Sequence, residues 1–313
     1  MFELSGRRVW VAGHTGLVGS AIVRALEARS VQDIVGWRSS ELDLTDRDAT
    51  LRAAREAEPD VVVLAAARVA GITSAEMSGP HALSDNLRIQ ANVMDAAADI
   101  GVERLLLVGS AVIYPTVIGR ALTPDLIMSG PLDPARSAYA VGKLAGLMLL
   151  RSHRTIPGRR WIAVLPTNVY GPGDAFDPER AHVLPSVVRR LEDARIEKRA
   201  EVTLWGTGTA RRDLLHVDDL ATACAVVLRD YDGDEPINVG SGSDVSIAGL
   251  AELVAREVGY RGCIKWDSTR PDGVAQRLLD IGPLLSLGWS PSVELSAGIR
   301  RLVQNYRETS CGK

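Results

Sequence analysis

Cysteine is scarce in this chain, and what there is has no functional arrangement. Cys224, Cys263 and Cys311 are odd in number and widely spaced, with neither the close pairs of a zinc site nor the framework of a disulfide-stapled domain. Two are expected to be small core residues and the third to lie in the tail, in a reducing, cytoplasmic setting. Long apolar runs are missing: none reaches the ~18–20 residues of a membrane span, and Val61–Ala67 is strand-sized. Met1-Phe2-Glu3-Leu4-Ser5-Gly6 lacks the basic-then-apolar pattern of a signal peptide. Charge of one sign is also missing. With 36 Lys and Arg against 39 Asp and Glu, the net charge of −3 gives no electrostatic reason to expect nucleic acid. There are no internal repeats or low-complexity tracts. A chain of 313 residues, 46% hydrophobic and 24% charged, is then an ordinary globular protein with room for a large core and one or two domains.

What is present begins with a glycine loop. Arg8-Val9-Trp10-Val11-Ala12 reads as a buried strand, followed at once by Gly13-His14-Thr15-Gly16-Leu17-Val18-Gly19 and a helix over Ser20–Ala28. Glycines between strand and helix permit a tight turn and close backbone approach to a pyrophosphate. A glycine-rich turn without a ligand is the plainer alternative. The next strand, Ile34–Trp37, ends in Arg38-Ser39-Ser40 with no carboxylate before Glu41. A cation and hydroxyls there suit a ribose 2′-phosphate better than a free 2′-hydroxyl, which favours NADP over NAD. Arg38 as a solvated charge is the competing reading.

Asp43-Leu44-Thr45-Asp46 caps a helix through about Ala57, and Val61–Ala65 is a continuous apolar run of the parallel-strand kind. Pro80–Asp99 reads as a long amphipathic helix with Leu83, Leu87, Ala91 and Met94 on one stripe. Leu105–Val108 is a buried strand ending at Gly109-Ser110, Arg136–Arg151 is helical, and Trp161–Leu165 is another strand. This alternation predicts an α/β fold: a doubly wound, Rossmann-type parallel sheet with ligands at the carboxyl ends of its strands. From about Pro166 prolines punctuate irregular segments, with helices near Leu184–Lys198, Asp218–Arg229 and Ser246–Val258. The expected division is a dinucleotide-binding domain over 1–168 and a smaller mixed substrate domain over 169–313, interleaved with late pieces of the first.

The chemistry is expected on the Arg136–Arg151 helix. Tyr139 and Lys143 stand four residues apart, so both side chains share one face. A nearby ammonium favours the phenolate, and Tyr139 is expected to have its pKa lowered into the working range of a general acid/base.

The glycine loop, Gly109-Ser110 after a strand, and Tyr139-x-x-x-Lys143 together resemble the extended short-chain dehydrogenases/reductases. Ala12-Gly13-His14, Leu64-Ala65-Ala66-Ala67, Ile113-Tyr114-Pro115, Pro166-Thr167-Asn168 and His182-Val183-Leu184-Pro185 narrow the resemblance to the GDP-L-fucose synthase family. Leu204-Trp205-Gly206-Thr207-Gly208, Arg211–Asp219, Ile237-Asn238-Val239-Gly240 and Arg270-Pro271-Asp272-Gly273 resemble signatures of nucleotide-sugar enzymes more generally. The resemblance implies epimerisation at C3 and C5 of a GDP-4-keto-6-deoxy sugar, then reduction of the ketone by NADPH. It implies that Tyr139 protonates the C4 oxygen, Ser110 hydrogen-bonds it, Lys143 holds the nicotinamide ribose and His182 is the epimerisation acid.

NADP would contact Gly13, His14, Thr15, Gly16, Leu17, Val18, Gly19, Arg38, Ser39, Asp43, Leu44, Ala65, Ala66, Ala67, Val108 and Gly109. Tyr139, Lys143, Pro166, Asn168, Val169 and His182 complete that set. Ser110, Ala111, Val112 and Asn168 would face the sugar, with Arg190, Trp205, Arg212 and Asp272 on the GDP part. No metal is expected. Family members pair through two long helices, here Pro80–Asp99 and Arg136–Arg151, so a homodimer is expected.

One departure matters most. The family places a cysteine, taken as the epimerisation base, two residues after the serine; this chain has Val112, which accepts no proton. Reduction with C3/C5 epimerisation lost or altered is therefore the expectation. Thr15 and Ser39 also replace basic residues of the family, which weakens its NADP preference here. A 4,6-dehydratase would need carboxylates that Ala111-Val112 cannot supply. A redox-neutral epimerase and a dinucleotide-sensing regulator are the remaining alternatives. Ser110 as a turn cap, His182 as a helix cap, Trp205 as core, and Arg190 and Arg212 as surface charges are the plainer readings of those residues.

Overall fold

The computed structural model describes residues 1–69, 80–116, 119–178 and 181–310. Strand and helix alternate through the first half: β1 (Arg8–Ala12), α1 (Leu17–Glu27), β2 (Asp33–Val35), α2 (Arg47–Ala57), β3 (Val61–Leu64), α3 (Pro80–Asp99), β4 (Arg104–Val108), α4 (Ser137–Arg154) and β5 (Ile162–Pro166). Then come β6 (Asn168–Tyr170), α5 (Val183–Ile196), β7 (Glu201–Trp205), β8 (Arg211–Arg212), β9 (Leu214–His216), α6 (Val217–Asp230) and β10 (Ile237–Val239). The chain finishes with β11 (Val245–Ser246), α7 (Ile247–Val258), β12 (Cys263–Asp267), β13 (Gln276–Arg277), α8 (Gly282–Ser286) and α9 (Leu295–Ser310).

Six parallel strands form the main sheet in the order β10-β5-β4-β3-β1-β2. The period-2 alternation of a strand sorts its side chains to opposite faces. Val62, Leu64, Leu105 and Leu107 face the layer of α2, α3 and α4, while Val61, Val63, Leu106 and Val108 face α1 and α6. Since both faces are covered, the strands read as unbroken apolar runs. The chain switches direction between β1 and β3, the place where this kind of sheet opens a ligand crevice. A third core, built from α5, α7, α9 and β7, carries the second half.

Two polar braces tie the halves together. Arg104, fully buried, donates to the carbonyls of Val227, Leu228, Tyr231 and Arg160, capping the carboxyl end of α6; burial pulls its pKa down to about 10. Asn238 accepts from the Tyr114 hydroxyl at 2.7 Å and donates to the carbonyls of Leu122 and Asp280.

Three expectations need correction or a limit. The apolar stripe of α3 is rotated: Leu87 is 37% exposed, while Asn86, Ile89, Gln90, Val93, Met94 and Ala97 are buried. Glycines on α4 are the cause, because they let that helix close on the Asn86/Gln90 side. A Cβ at Gly146 would stand 2.1 Å from the Gln90 Oε1, and the Gln90 amide reaches the Gly142 carbonyl at 2.9 Å. Cys224 is buried as expected, but Cys263 is exposed on the two-stranded β12–β7 sheet. Cys311 lies outside the described residues. Among the described residues, no helix is long and apolar enough to cross a membrane.

Candidate active site

The loop between β1 and α1 is glycine where the backbone leaves no room. Gly13 has φ +90°, and a Cβ there would stand 2.8 Å from the Ala66 backbone; at Gly19 it would meet the Gly13 carbonyl oxygen at 2.0 Å. Gly16 begins α1 without a side-chain cap, so the first-turn N–H groups keep their donor capacity for an anion. Leu17 and Val18 are half-buried in that turn, and Thr15 is exposed beside it. Ala65, Ala66 and Ala67 run half-buried past the loop, with the Ala65 N–H on the Ala12 carbonyl at 3.0 Å.

The His14 ring packs on Gly36, where a Cβ would stand 2.6 Å from Nδ1. Arg38 and Ser39 are exposed, and the Arg38 side chain forms no ion pair among the described residues. Asp43 accepts from the Thr45 N–H and hydroxyl at 2.9 and 2.8 Å, which pulls its pKa down. The half-buried Leu44 offers its carbonyl to Asn92 at 2.9 Å. A crowded glycine cradle, a free helix N-terminus and an unpaired surface arginine together fit a phosphorylated dinucleotide.

At the end of β4, Gly109 donates to Val164 at 2.8 Å and delivers Ser110 to the carboxyl edge of the sheet. Ser110 does cap the turn over Ala111–Ile113, accepting from the Val112 N–H at 3.2 Å. Its hydroxyl also hydrogen-bonds Tyr139. Tyr139 and Lys143 are both buried on α4, with the Lys143 Nζ 6.0 Å from the Tyr139 ring centre.

The expected lowering of the Tyr139 pKa is not what the structure gives. Burial pushes the phenol well above its ordinary value, and the Ser110 hydrogen bond offsets only part of that. Lys143 is aimed elsewhere: Nζ donates to the Val108 carbonyl at 2.9 Å, and burial brings its own pKa down to about 8. The spacing was informative about the shared face but silent about burial. Ala111 and Val112 are buried and purely apolar beside Ser110.

His182 occupies the N-cap position of α5 but makes no side-chain cap bond. Burial first, and the charge of Arg136 second, push its imidazole below the ordinary value, so it is neutral at pH 7. Pro166 is buried, Val169 half-buried, and Asn168 donates to the Asp213 carbonyl at 2.9 Å. Asp213 is fully buried. Its carboxylate accepts from the Ser241 N–H and hydroxyl at 2.9 and 2.7 Å, and burial raises its pKa to about 6. Asp213 thus links the Asn168 segment to the loop at Ser241.

Trp205 is no core residue: it is 43% exposed at the end of β7, with Arg190 and Arg270 guanidinium groups 5.1 and 5.2 Å from its ring centre. Such a ring suits stacking against a base. Asp272 holds the following turn, accepting from the Thr207 N–H and hydroxyl at 2.7 and 2.8 Å. Arg212 is buried, donating to the carbonyls of Arg211 and Val274 at 2.7 and 2.6 Å and approaching the Asp272 carbonyl at 3.5 Å. It is not a solvated surface charge.

Sequence reading missed Arg136 and Arg277. Arg277 is buried with no partner for its Nη2, and the Arg136 charge acts on Arg277, Arg212 and His182 alike. The available signal was a single arginine in the apolar stretch after Asp272-Gly273, and another three residues before Tyr139.

A Rossmann-type sheet bearing this glycine loop and a buried Ser/Tyr/Lys group defines an extended short-chain dehydrogenase/reductase. The model of the NAD dependent epimerase/dehydratase family matches residues 9–240, and the chain belongs to that family. Within it, several relatives are GDP-L-fucose synthases. A probable GDP-L-fucose synthase 1 of Oryza sativa subsp. japonica is 45% identical over 304 residues, spanning 96% of this chain and 92% of its own length. The GDP-L-fucose synthase of Escherichia coli (strain K12) is 37% identical over 314 residues, 97% of this chain and 98% of its own. Among solved structures, a GDP-mannoheptose C4 reductase from Campylobacter jejuni with NADP bound superposes with a TM-score of 0.87 at 26% identity, over 98% of this chain and 100% of its own.

Proposed function

We propose that the protein reduces the 4-keto group of a GDP-4-keto-6-deoxy sugar with NADPH, as the GDP-L-fucose synthases do, but with C3/C5 epimerisation lost or altered. The observation that carries this is the buried grouping of Ser110, Tyr139 and Lys143 next to a turn where Val112 offers no proton acceptor.

The glycine loop, Arg38, Asp43, Ala65–Ala67 and Lys143 would hold NADPH, and the reduced nicotinamide, when bound, supplies the hydride equivalent for C4. The chain's own residues handle the oxygen. At neutral pH burial keeps Tyr139 protonated, the state required of a general acid. Ser110 and Tyr139 donate to the C4 oxygen and stabilise negative charge as it develops there. With its pKa about 8, Lys143 stays cationic at pH 7 and stabilises the phenolate as Tyr139 gives up its proton. Burial and the Arg136 charge make His182 harder to protonate, and Val112 can remove no proton.

Trp205 with Arg190 would take the base, and Arg212 with Asp272 the diphosphate end. Residues 1–168 and 169–313 would serve as dinucleotide and substrate domains. A cytoplasmic homodimer paired through α3 and α4 completes the reading, supported by the exposed Leu87 and Val141 on those helices.

Incubation with GDP-4-keto-6-deoxymannose and NADPH in deuterated water tests the proposal. Stoichiometric NADPH oxidation without deuterium at C3 or C5 is expected. Rapid deuterium entry at both carbons refutes the loss of epimerisation, and turnover without NADPH consumption refutes the reductase.

A further inference from the structure

We propose that Arg136 is a specificity-determining residue whose guanidinium holds the sugar-side phosphate of the nucleoside diphosphate beside the reacting carbonyl. The inference rests on the GDP-sugar reading above and adds a residue that neither the sequence motifs nor the relatives assign.

Three guanidinium groups share one neighbourhood with two carboxylates, Asp133 and Asp272, so positive charge is in excess. The charge of Arg136 acts on Arg212, Arg277 and His182, and Asp133 is the acid that faces both Arg212 and Arg277. Like charges at close range destabilise one another unless an anion sits among them. The donors are also under-used. Arg277 is 6% exposed, and its Nη2 has no partner; a buried donor of that kind marks a missing acceptor. The half-buried side chain of Arg136 forms no hydrogen bond or ion pair among the described residues. Only the backbone N–H of Arg136 is engaged, on the Asp133 carbonyl at 3.0 Å.

Position decides which phosphate. Trp205 leads by two residues to Thr207, Thr207 is held by Asp272, and the Asp272 carbonyl lies 3.5 Å from Arg212. That path runs from the base toward the diphosphate. Arg136 approaches from the other end, as the N-cap of α4 three residues before Tyr139, with its charge on His182. The order this assigns is Trp205, Arg212, Arg136, Tyr139, with Arg136 fixed by its place one turn before Tyr139 on α4. A phosphate next to Arg136 also meets the amino end of α4, whose dipole favours an anion.

GDP and GMP separate this role from general electrostatic attraction, because GMP lacks the sugar-side phosphate. Calorimetric titration of the wild type and the Arg136→Gln and Arg136→Lys variants with each nucleotide is the measurement. Loss of a charge-assisted hydrogen bond predicts GDP binding weakened about tenfold or more in Arg136→Gln, with GMP changed by less than about twofold. Arg136→Lys, which keeps the charge but not the fork, should lose about threefold or more for GDP alone. It serves by itself if the Gln variant does not fold. Unchanged GDP binding, or equal weakening of GDP and GMP, overturns the role of Arg136 while leaving the reductase reading intact. A wild type that binds neither nucleotide overturns both.

Discussion

Replacing Lys143 by methionine should abolish reduction yet make the protein more stable at neutral pH. Lys143 is 3% exposed, and burial lowers its pKa from 10.5 to about 8. At about 1.36 kcal/mol per pH unit, holding the charged form in the fold costs roughly 3 kcal/mol. Methionine removes that cost but leaves the Val108 carbonyl without its donor at 2.9 Å, a loss of about 1–3 kcal/mol. The desolvation cost is the larger effect, so a net gain on the order of 1 kcal/mol is expected at pH 7.

The pH dependence isolates it. Because the folded pKa lies below the unfolded one, the unfolded chain binds the extra proton between about 8 and 10.5, and wild-type stability rises through that window. The variant lacks this rise, so its advantage should shrink as pH goes from 8 toward 10.5. Urea unfolding of both proteins at pH 7, 8.5 and 10 reads it, other titrations cancelling in the difference. A variant less stable than wild type at pH 7, with a gap that does not change with pH, would refute the reasoning.

Four further outcomes follow from the site. Tyr139→Phe should lower kcat by about 10²–10⁴ with nucleotide binding retained, as for removal of a general acid; stopped-flow reduction and titration separate the two. Val112→Cys should introduce deuterium exchange next to the ketone in heavy water, and an exchange-silent variant would show that His182 or the pocket shape is also limiting. Arg38→Ala should erode the NADPH over NADH preference in initial rates, since its exposed guanidinium is the cation available to a 2′-phosphate. Glu192→Gln should destabilise the α5–α9 contact. The Glu192 carboxylate is held by Arg195 and Arg307, which with burial working against them bring its pKa to about 2. That stability is present above about 4.5 and lost as pH falls toward 2; the partly exposed arginines limit it to roughly 1–2 kcal/mol at pH 7. Thermal melts of both proteins at pH 7 and pH 3 check it.

The strands and their order of use were legible because a sheet covered on both faces leaves unbroken apolar runs, and the Ser110/Tyr139/Lys143 group because its members sit at fixed places on a strand end and one helix face. The turn residues were legible in composition but not in purpose. Asn238 and Tyr114, read as signatures, are braces between distant loops. What was not legible depends on the third dimension. Nothing in the Tyr139–Lys143 spacing says that both groups lose their water, nor that Nζ will choose a main-chain oxygen over the phenol. The stripe on α3 was misjudged because glycines of another helix, not its own period, decide which side it turns inward. Arg136 and Arg277 come from segments far apart in the chain, and only folding makes them neighbours.

The return of β10 to the edge of the main sheet, with α6 laid over α1, has a practical meaning for anyone dividing the protein. Cutting after residue 168 would strip β5 of its outer neighbour and bare to water the side of α1 that packs on α6. An amino-terminal fragment would carry a raw sheet edge and an oily helix face, and should be recovered from cells as aggregate rather than as a nucleotide-binding module.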